Sequence, residues 1–337
     1  MTEFLAEYGL FLAKAITVVL AILIVMAASV VLSKKAKAPE KLEVTSLNDK
    51  YDSIATAMQS QILPKKEQKR VAKKKKVALK AGKKKHGDDA GKRMFVVNFH
   101  GDIKATSVSS LREEITAILS LASEQDEVLV KLENTGGIVH EHGLGASQLQ
   151  RLRDAGIPLT VAVDKVAASG GYMMACVAQK IIAAPFAVIG SIGVLAQIPN
   201  FHEMLSRHGI KFEQETAGEY KRTLTMFGEN TEEEREKLRE QIEDAHTLFK
   251  DFVERNRPGM NMAEIATGEH WYGTRALELG LVDELSTSDD YLLAASKQAR
   301  LFEITYTTKK SVAARLLSSM QLALGKSKVD RFDSYYV

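Results

Sequence analysis

The sequence predicts an α/β domain built around a mostly parallel sheet, and two observations lead to this prediction. Over residues 94–305, short apolar segments typical of buried strands alternate with longer segments whose apolar residues recur at helical spacing. This alternation repeats several times without an internal sequence repeat. Repeated β–α units of this kind are typical of parallel strands covered by helices.

Individual elements can be assigned along this domain. Strands are predicted at Met94 to Phe99, Glu127 to Leu132, Pro158 to Val163 and Lys180 to Ala184, and helices at Ser107 to Ser123 and His142 to Ala155. Thr231 and Glu234 have the spacing of a capping box, so a long helix is predicted to begin there and to end before Pro258. The extension over residues 306–337 is irregular, apart from a possible helix at Val312 to Leu324.

The N-terminal region, residues 1–33, is predicted to be a single transmembrane anchor. Residues 15–32 form an uncharged run of 18 residues, which is long enough to span a hydrocarbon core. A cleaved secretory signal is the competing interpretation. Glu3 and Glu7 disfavour it because a signal needs a positive start, and the apolar run is longer than a typical signal core.

Two arguments about the orientation of this anchor disagree. Four lysines follow the span, at positions 34, 35, 37 and 41, whereas only Lys14 precedes it. The positive-inside rule therefore places the following domain in the cytoplasm of a bacterial-type inner membrane. Analogy with anchored relatives of the family named below favours the opposite, periplasmic side.

Residues 34–93 are predicted to be a basic linker, in which Leu42 to Leu63 could form an amphipathic helix because its apolar residues recur at helical spacing. Between residues 65 and 85, 12 of 21 residues are Lys or Arg, although the net charge of the chain is only +3. A solvated charge run and a contact with anionic membrane lipid both remain open. Nucleic acid is not an expected partner, because no aromatic residue interleaves the lysines. The single cysteine, Cys176, excludes an intramolecular disulfide and is expected in the core.

One apolar, glycine-rich segment carries the candidate nucleophile. The segment VAASGGYMMA, residues 166–175, places the hydroxyl of Ser169 where a strand should pass into a helix. The flanking glycines allow a substrate backbone to approach closely. The N–H groups at the start of that helix would face developing negative charge.

Several motifs in a fixed order resemble the signal peptide peptidase A family of serine peptidases, and its membrane-anchored SohB-type branch in particular. They are SGGY at 169–172, GSIGV at 190–194, EYK at 219–221, WYG at 271–273 and GLVD at 280–283. The resemblance covers roughly residues 94–300. It implies a ClpP/crotonase-like spiral fold and hydrolysis of peptide bonds.

The resemblance also implies the roles of three side chains. Ser169 would be the nucleophile, Lys221 the general base, and Ser191 the residue whose hydroxyl orients the lysine. On local sequence alone Lys221 would be a surface lysine and Ser191 a turn serine. A lysine can serve as the base only when burial or neighbouring positive charge lowers its pKa.

The oxyanion hole would consist of the backbone N–H groups of Gly137 and Gly170. Relatives usually carry Ser-Pro-Gly-Gly where this chain has Asn134, Thr135, Gly136 and Gly137. The two glycines are retained, but Thr135 does not have the stiffness of proline. The resemblance therefore does not determine the resting conformation of this loop.

A histidine-based site is the first alternative for catalysis. His140 and His142 follow the glycine loop, and Asp164 ends a predicted strand just before Ser169. The Gly-x-Ser-x-Gly pattern of a nucleophile elbow is absent, because Ala167 occupies its first position. No third ligand stands near the two histidines at a recognisable metal spacing, so neither a metal nor an organic cofactor is expected.

Two further alternatives come from other functional classes. A crotonase-like acyl-CoA enzyme would share the fold and would use carboxylates such as Glu133 or Glu141. The other alternative is a non-catalytic membrane scaffold whose peptidase site has decayed. The joint presence of Ser169, Ser191 and Lys221 favours a membrane-anchored serine endopeptidase that cleaves apolar peptides, such as signal-peptide remnants or membrane-protein fragments. The resemblance further implies a homo-oligomer.

Overall fold

The computed structural model describes residues 7–22, 41–71, 73, 92–218 and 220–307. The chain divides into two compact units. The first comprises residues Met1–Leu42 and Tyr306–Val337, and the second comprises Glu43–Thr305.

In the first unit, residues 7–22 are helical and exposed. Within the described residues, no helix combines the length and the apolarity that a membrane crossing requires. Part of the predicted span, residues 23–32, lies outside the described residues, as do most of the lysine cluster and the helix predicted at Val312 to Leu324. The transmembrane anchor therefore stays a prediction.

The second unit is organised around a twisted, mostly parallel sheet. Its strands are β1 (Lys41–Ser46), β2 (Arg93–Gly101), β3 (Glu127–Asn134), β4 (Leu159–Val163), β5 (Val166–Ala168), β6 (Lys180–Ala183), β7 (Val188–Gly190), β8 (His270–Tyr272), β9 (Glu284–Leu285) and β10 (Arg300–Thr307). The main path runs β1-β10-β2-β3-β4-β6-β9. A branch leaves β3 through β5 and β7 and ends at β8.

Strand pairing confirms the predicted sheet type. The pairs β10·β2, β2·β3, β3·β4, β4·β6 and β6·β9 are parallel, as are β3·β5 and β5·β7. The pair β7·β8 is antiparallel. Buried apolar residues run almost without interruption along β3 and β4, as expected for strands that are covered on both faces.

Helices cover the two faces of the sheet. They are α1 (Leu47–Ile62), α2 (Val108–Leu119), α3 (Val139–Asp154), α4 (Gly170–Ala175), α5 (His202–Arg207), α6 (Glu232–Asn256), α7 (Met262–Ile265), α8 (Gly273–Glu278) and α9 (Ser288–Ala295). Alternate β2 residues belong to two cores: Phe95 and Val97 to the larger one, which includes α2 to α4, and Met94 and Val96 to a smaller one.

The predicted elements agree with these assignments, and the capping box at the start of α6 is confirmed. The side chain of Thr231 accepts from the N–H of Glu234, and the carboxylate of Glu234 accepts from the N–H of Thr231. Within the predicted linker, residues 34–93, the amphipathic helix predicted at Leu42 to Leu63 is confirmed as α1, which buries Leu47 in the smaller core. The structure adds β1, which extends the sheet.

Candidate functional site

Ser169 occupies the turn between β5 and α4, as the sequence predicts. Its backbone has φ 52° and ψ −120°, a conformation that side-chain-bearing residues seldom adopt. The conformation is held in place, since its N–H donates to the Gly190 carbonyl at 2.7 Å and its own carbonyl accepts from Met173 at 2.9 Å. Strain of this kind persists only where the surrounding structure fixes it, and it is frequent at catalytic residues.

Ser191 leaves the neighbouring strand at the same level of the sheet. Ala168 of β5 is paired with Gly190 of β7 in parallel register, so the two serines directly follow paired residues. Ser191 also has a positive φ, of 51°, and its N–H donates to the Glu269 carbonyl at 2.7 Å. The structure therefore brings the predicted nucleophile and the predicted orienting serine together on adjacent strand ends.

The glycine loop lies directly beside Ser169. Gly136 has φ 87°, and a Cβ placed on it would come within 2.7 Å of the Ser169 Cβ and within 2.8 Å of the Gly170 nitrogen. Only glycine fits here without displacing the nucleophile or covering that nitrogen. Among the described residues, the N–H groups of Gly137 and Gly170 have no hydrogen-bond acceptor. Gly170 directly follows Ser169, and Gly137 directly follows the glycine that packs against it.

Two buried polar side chains lie behind this loop, and the sequence reasoning assigned neither of them this place. Asn134 is 1% exposed and accepts from the N–H of Gly136 at 2.9 Å. His142 is fully buried, with Nε2 3.2 Å from Asn134 Oδ1 and Nδ1 3.0 Å from the Ile138 carbonyl oxygen. The one sequence signal is a polar residue at the end of a buried strand, just before two glycines.

Lys221 lies on the irregular segment that joins α5 to α6. Its side chain is exposed, and its backbone N–H donates to the Gly218 carbonyl at 3.2 Å. Within the described residues, the structure gives its amine no hydrogen bond or ion pair with Ser169 or Ser191. The role of Lys221 as the base stays a prediction.

The histidine-based alternative is not assembled in the structure. His140 is exposed and lies 3.8 Å from Glu141, whereas Asp164 accepts both hydrogen bonds from Ser288, at its N–H and its hydroxyl. No group of three metal-ligating side chains occurs within the part of the chain that the structure describes. Both ring nitrogens of His142 have partners other than the Ser169 hydroxyl, namely the Ile138 carbonyl and the Asn134 side chain.

The carboxylates considered for an acyl-CoA enzyme have other partners. Glu133 contacts Lys165 at 3.0 Å and His100 at 3.6 Å in a partly exposed cluster. Glu141 lies beside His140 on the surface. These contacts explain both carboxylates as surface ion pairs.

Buried side chains of α4 anchor this helix, which directly follows Ser169. The Tyr172 hydroxyl donates to the Leu281 carbonyl at 3.0 Å, and burial raises the pKa of this phenol. Burial likewise raises the pKa of the Cys176 thiol to about 12. The expectation that Cys176 is a core residue is confirmed, since it is fully buried. Met174 is fully buried and Met173 nearly so, which leaves both methionines in the core and outside a substrate pocket.

A strained serine close to backbone N–H groups without an acceptor is an arrangement typical of hydrolases of the serine type. The family comparison specifies it further, because the models "Peptidase family S49 N-terminal" and "Peptidase family S49" match residues 3–149 and 151–301. The chain belongs to this family of serine peptidases.

Two curated relatives agree with this assignment. The chain is 47% identical to a protein named probable protease SohB from Haemophilus influenzae, over 93% of this chain and 92% of the relative. A protein of the same name from Buchnera aphidicola subsp. Acyrthosiphon pisum is 44% identical, over 97% of both chains. A solved structure of the 1510-N membrane-bound stomatin-specific protease, a variant with a substrate peptide, matches with TM-score 0.44 and 15% identity, over 68% of this chain and 98% of that one.

Proposed function

We propose that this chain is an endopeptidase in which Ser169 attacks the scissile carbonyl while Lys221 accepts its proton. Lys221 then donates this proton to the leaving amine. In the second half of the reaction, Lys221 accepts a proton from the attacking water and returns it to the Ser169 oxygen as the acyl-enzyme is hydrolysed. Ser191 accepts or donates a hydrogen bond that orients the amine. Its position on the strand end next to Ser169 supports this assignment.

The observation that carries the proposal is the pair of unsatisfied N–H groups beside a strained serine. The negative oxygen of the tetrahedral intermediate needs at least two preorganised donors, and those of Gly137 and Gly170 have no acceptor among the described residues. Loss of one such donor typically lowers kcat by about 10²–10³. The geometry therefore favours acyl transfer over a scaffold with a decayed site.

We propose further that a second copy of the chain covers the segment that carries Lys221. An exposed lysine stays charged, so it must lose contact with water before it can act as a base. The segment is unusually apolar for a surface: Leu195, Phe201, Met204, Ile210, Phe212, Met226 and Phe227 are all exposed, Leu195 to 76%. Patches of this kind mark sites of protein association. Assembly of identical chains would exclude water from both the apolar patch and Lys221.

The proposed substrates are extended, apolar peptides, as in signal-peptide remnants or membrane-protein fragments. A membrane anchor over residues 1–33 would hold the enzyme where such peptides are released. Topology reporters fused after residue 33, compared with a chain that lacks residues 1–33, would test both the anchor and the side of the membrane. Recovery of the full chain in the soluble fraction would contradict the anchor.

The catalytic assignment is tested with the full chain and fluorogenic apolar peptides from mildly acidic to alkaline pH. We expect Ser169→Ala and Lys221→Ala to abolish turnover without loss of fold, and Ser169→Ala to abolish labelling by a fluorophosphonate. Lys211→Ala, at an exposed lysine of the same irregular segment, is the matched control and should leave substantial activity. Undiminished hydrolysis by Lys221→Ala would exclude the Ser–Lys dyad.

A further inference from the structure

We propose that Asn134 and His142 are positioning residues of the oxyanion hole, which hold the Gly136–Gly137 loop and Gly170 at a fixed separation. This inference rests on the proposed function and assigns a cause to the geometry of the site. Neither side chain touches the reacting atoms. Each acts through the backbone that carries an oxyanion donor.

Asn134 selects which N–H groups of the loop remain available. It is the last residue of β3, and its Oδ1 accepts from the N–H of Gly136 at 2.9 Å. Its Nδ2 donates to the Met174 sulfur at 3.4 Å, so both ends of the carboxamide have a partner. The Gly136 N–H is therefore engaged by Asn134 and is not available to a substrate. The next N–H along the chain, that of Gly137, has no acceptor among the described residues.

His142 connects the loop to the turn that carries the nucleophile. It lies in the first turn of α3, and its Nε2 faces Asn134 Oδ1 at 3.2 Å. Its side chain also packs on Gly170 so closely that a Cβ on Gly170 would lie 2.5 Å from the His142 Cγ. One side chain therefore contacts both Asn134, which holds the loop, and the residue that carries the second oxyanion donor.

The loop needs such support because its backbone is intrinsically free. Gly136 and Gly137 have φ 87° and 153°, values that side-chain-bearing residues seldom adopt and that glycine leaves easily. Thr135 adds no ring that would restrict the preceding backbone. A displacement of about 1 Å at a catalytic group can cost about 10²-fold in rate. Two fully buried, mutually hydrogen-bonded side chains supply the missing rigidity.

The first test compares Asn134→Leu with Asn134→Asp. Leucine fills the same space but accepts no hydrogen bond, whereas a carboxylate still accepts from Gly136 and from His142. We expect Asn134→Leu to lower kcat about 10²-fold with little change in KM, as for loss of one oxyanion donor. Asn134→Asp should restore most of this loss. Equal kcat in both variants, or a change confined to KM, would overturn the proposal.

The second test identifies the ring nitrogen that matters, and it keeps the proposal testable if the buried carboxylate of the Asn134→Asp variant prevents folding. The amide nitrogen of glutamine can occupy the place of Nε2, and that of asparagine the place of Nδ1. We expect His142→Gln to keep clearly more kcat than His142→Asn, because the Nε2 contact to Asn134 sets the loop. Equal activity in the two variants would assign His142 to packing alone, and the reverse order would assign its role to the Nδ1 contact with Ile138. Either result would overturn the proposed contact between His142 and Asn134.

A measurement without turnover separates this proposal from the proposed function. Amide hydrogen exchange of the peptide over residues 135–138 should become at least about tenfold faster in Asn134→Leu, since a lost hydrogen bond opens the loop locally. Unchanged exchange would overturn the positioning role even in an active enzyme. A wild type that lacks turnover, with exchange that responds as expected, would instead contradict the peptidase assignment.

Discussion

Ser169 and Ser191 follow paired residues of adjacent parallel strands, and both have positive φ angles, 52° and 51°. A non-glycine residue in such a conformation is strained by about 1–3 kcal/mol. The N–H of each serine is bound to a carbonyl, of Gly190 and Glu269 respectively, so the surrounding backbone imposes the conformation. Both serines project from turns that would be less strained with glycine.

The strain predicts an unusual order of stability among variants. Ser191→Gly and Ser191→Ala both lack the hydroxyl and differ only in the methyl group. We expect the glycine variant to be more stable by about 1 kcal/mol, because relief of strain exceeds the greater chain entropy of glycine in the unfolded state. Urea unfolding of the two variants measures the difference.

The stabilities of Ser169→Gly and Ser169→Ala provide an independent check of the strain. Both variants are inactive under the proposed mechanism, so only their stability is compared. Ser109, in a helix, is the control position, where alanine should be more stable than glycine by about 1 kcal/mol. Greater stability of the alanine variant at position 191 would show that the turn carries no strain.

The exposed apolar segment predicts a link between assembly and activity. Leu195 and Ile210 are 76% and 54% exposed, so glutamate at either position should leave the folded chain intact. We expect Leu195→Glu and Ile210→Glu to reduce the assembled mass in light scattering and to lower turnover in parallel. Leu293→Glu, at a similarly exposed position on α9, is the matched control. Full activity in a monomeric variant would separate the lysine from assembly.

The ion pair between Arg93 and the buried Asp126 predicts how stability depends on pH. Burial alone raises the pKa of Asp126, but hydrogen bonds from Arg93 and Ser123 outweigh this effect and lower the pKa to about 2. The folded state therefore binds this proton more weakly than the unfolded state, whose pKa is near 3.8. The stabilisation is complete above about pH 4 and is lost as the pH falls towards 2, and it amounts to about 2 kcal/mol.

Urea unfolding between pH 2 and pH 6 measures this contribution. Asp126→Asn should remove the corresponding part of the slope between about pH 4 and pH 2. Glu203→Gln, in an exposed pair with Arg207, should change the unfolding free energy by less than about 0.5 kcal/mol. An unaltered slope in Asp126→Asn would contradict the assigned pKa.

The sequence was sufficient for the parts of the fold whose residues follow a period. The long strands β2 to β4 and the helices α2, α3 and α6 have clear apolar periodicity, and Thr231 with Glu234 marks the start of α6. The strands β5, β7 and β8 have three residues each, too few to show a period. Yet these strands place Ser169 beside Ser191.

The site was predictable to a similar extent. Ser169 stood out by its glycines, and the free donors could be expected from backbone chemistry alone. The proposed role of Asn134 and His142 could not be predicted, because their hydrogen bonds are local but only the fold brings His142 against Gly170. Lys221 was chosen by resemblance, because on local sequence alone it would be a surface lysine.

Packing around the glycines predicts opposite effects for two substitutions by alanine. Gly143 lies in α3 with no atom within 4 Å of an added Cβ, so Gly143→Ala should stabilise the protein by about 0.5–1 kcal/mol. An added Cβ on Gly171 would lie 2.1 Å from the Asn134 carbonyl oxygen. Gly171→Ala must therefore move backbone and should cost about 1–3 kcal/mol. Thermal unfolding of both variants tests the contrast, and a stable Gly171→Ala would contradict this packing.

The single cysteine provides a probe of the core beneath the nucleophile. Cys176 is fully buried, and burial raises the pKa of its thiol to about 12, so almost no thiolate is present at pH 8. We expect a disulfide reagent to modify the native chain only through opening of α4, at a rate that rises with urea in parallel with unfolding. Gly171→Ala should accelerate this reaction, whereas Gly143→Ala should not. Rapid modification of the native wild type would show that α4 opens without unfolding of the domain, in conflict with the rigid turn on which the Ser169 geometry depends.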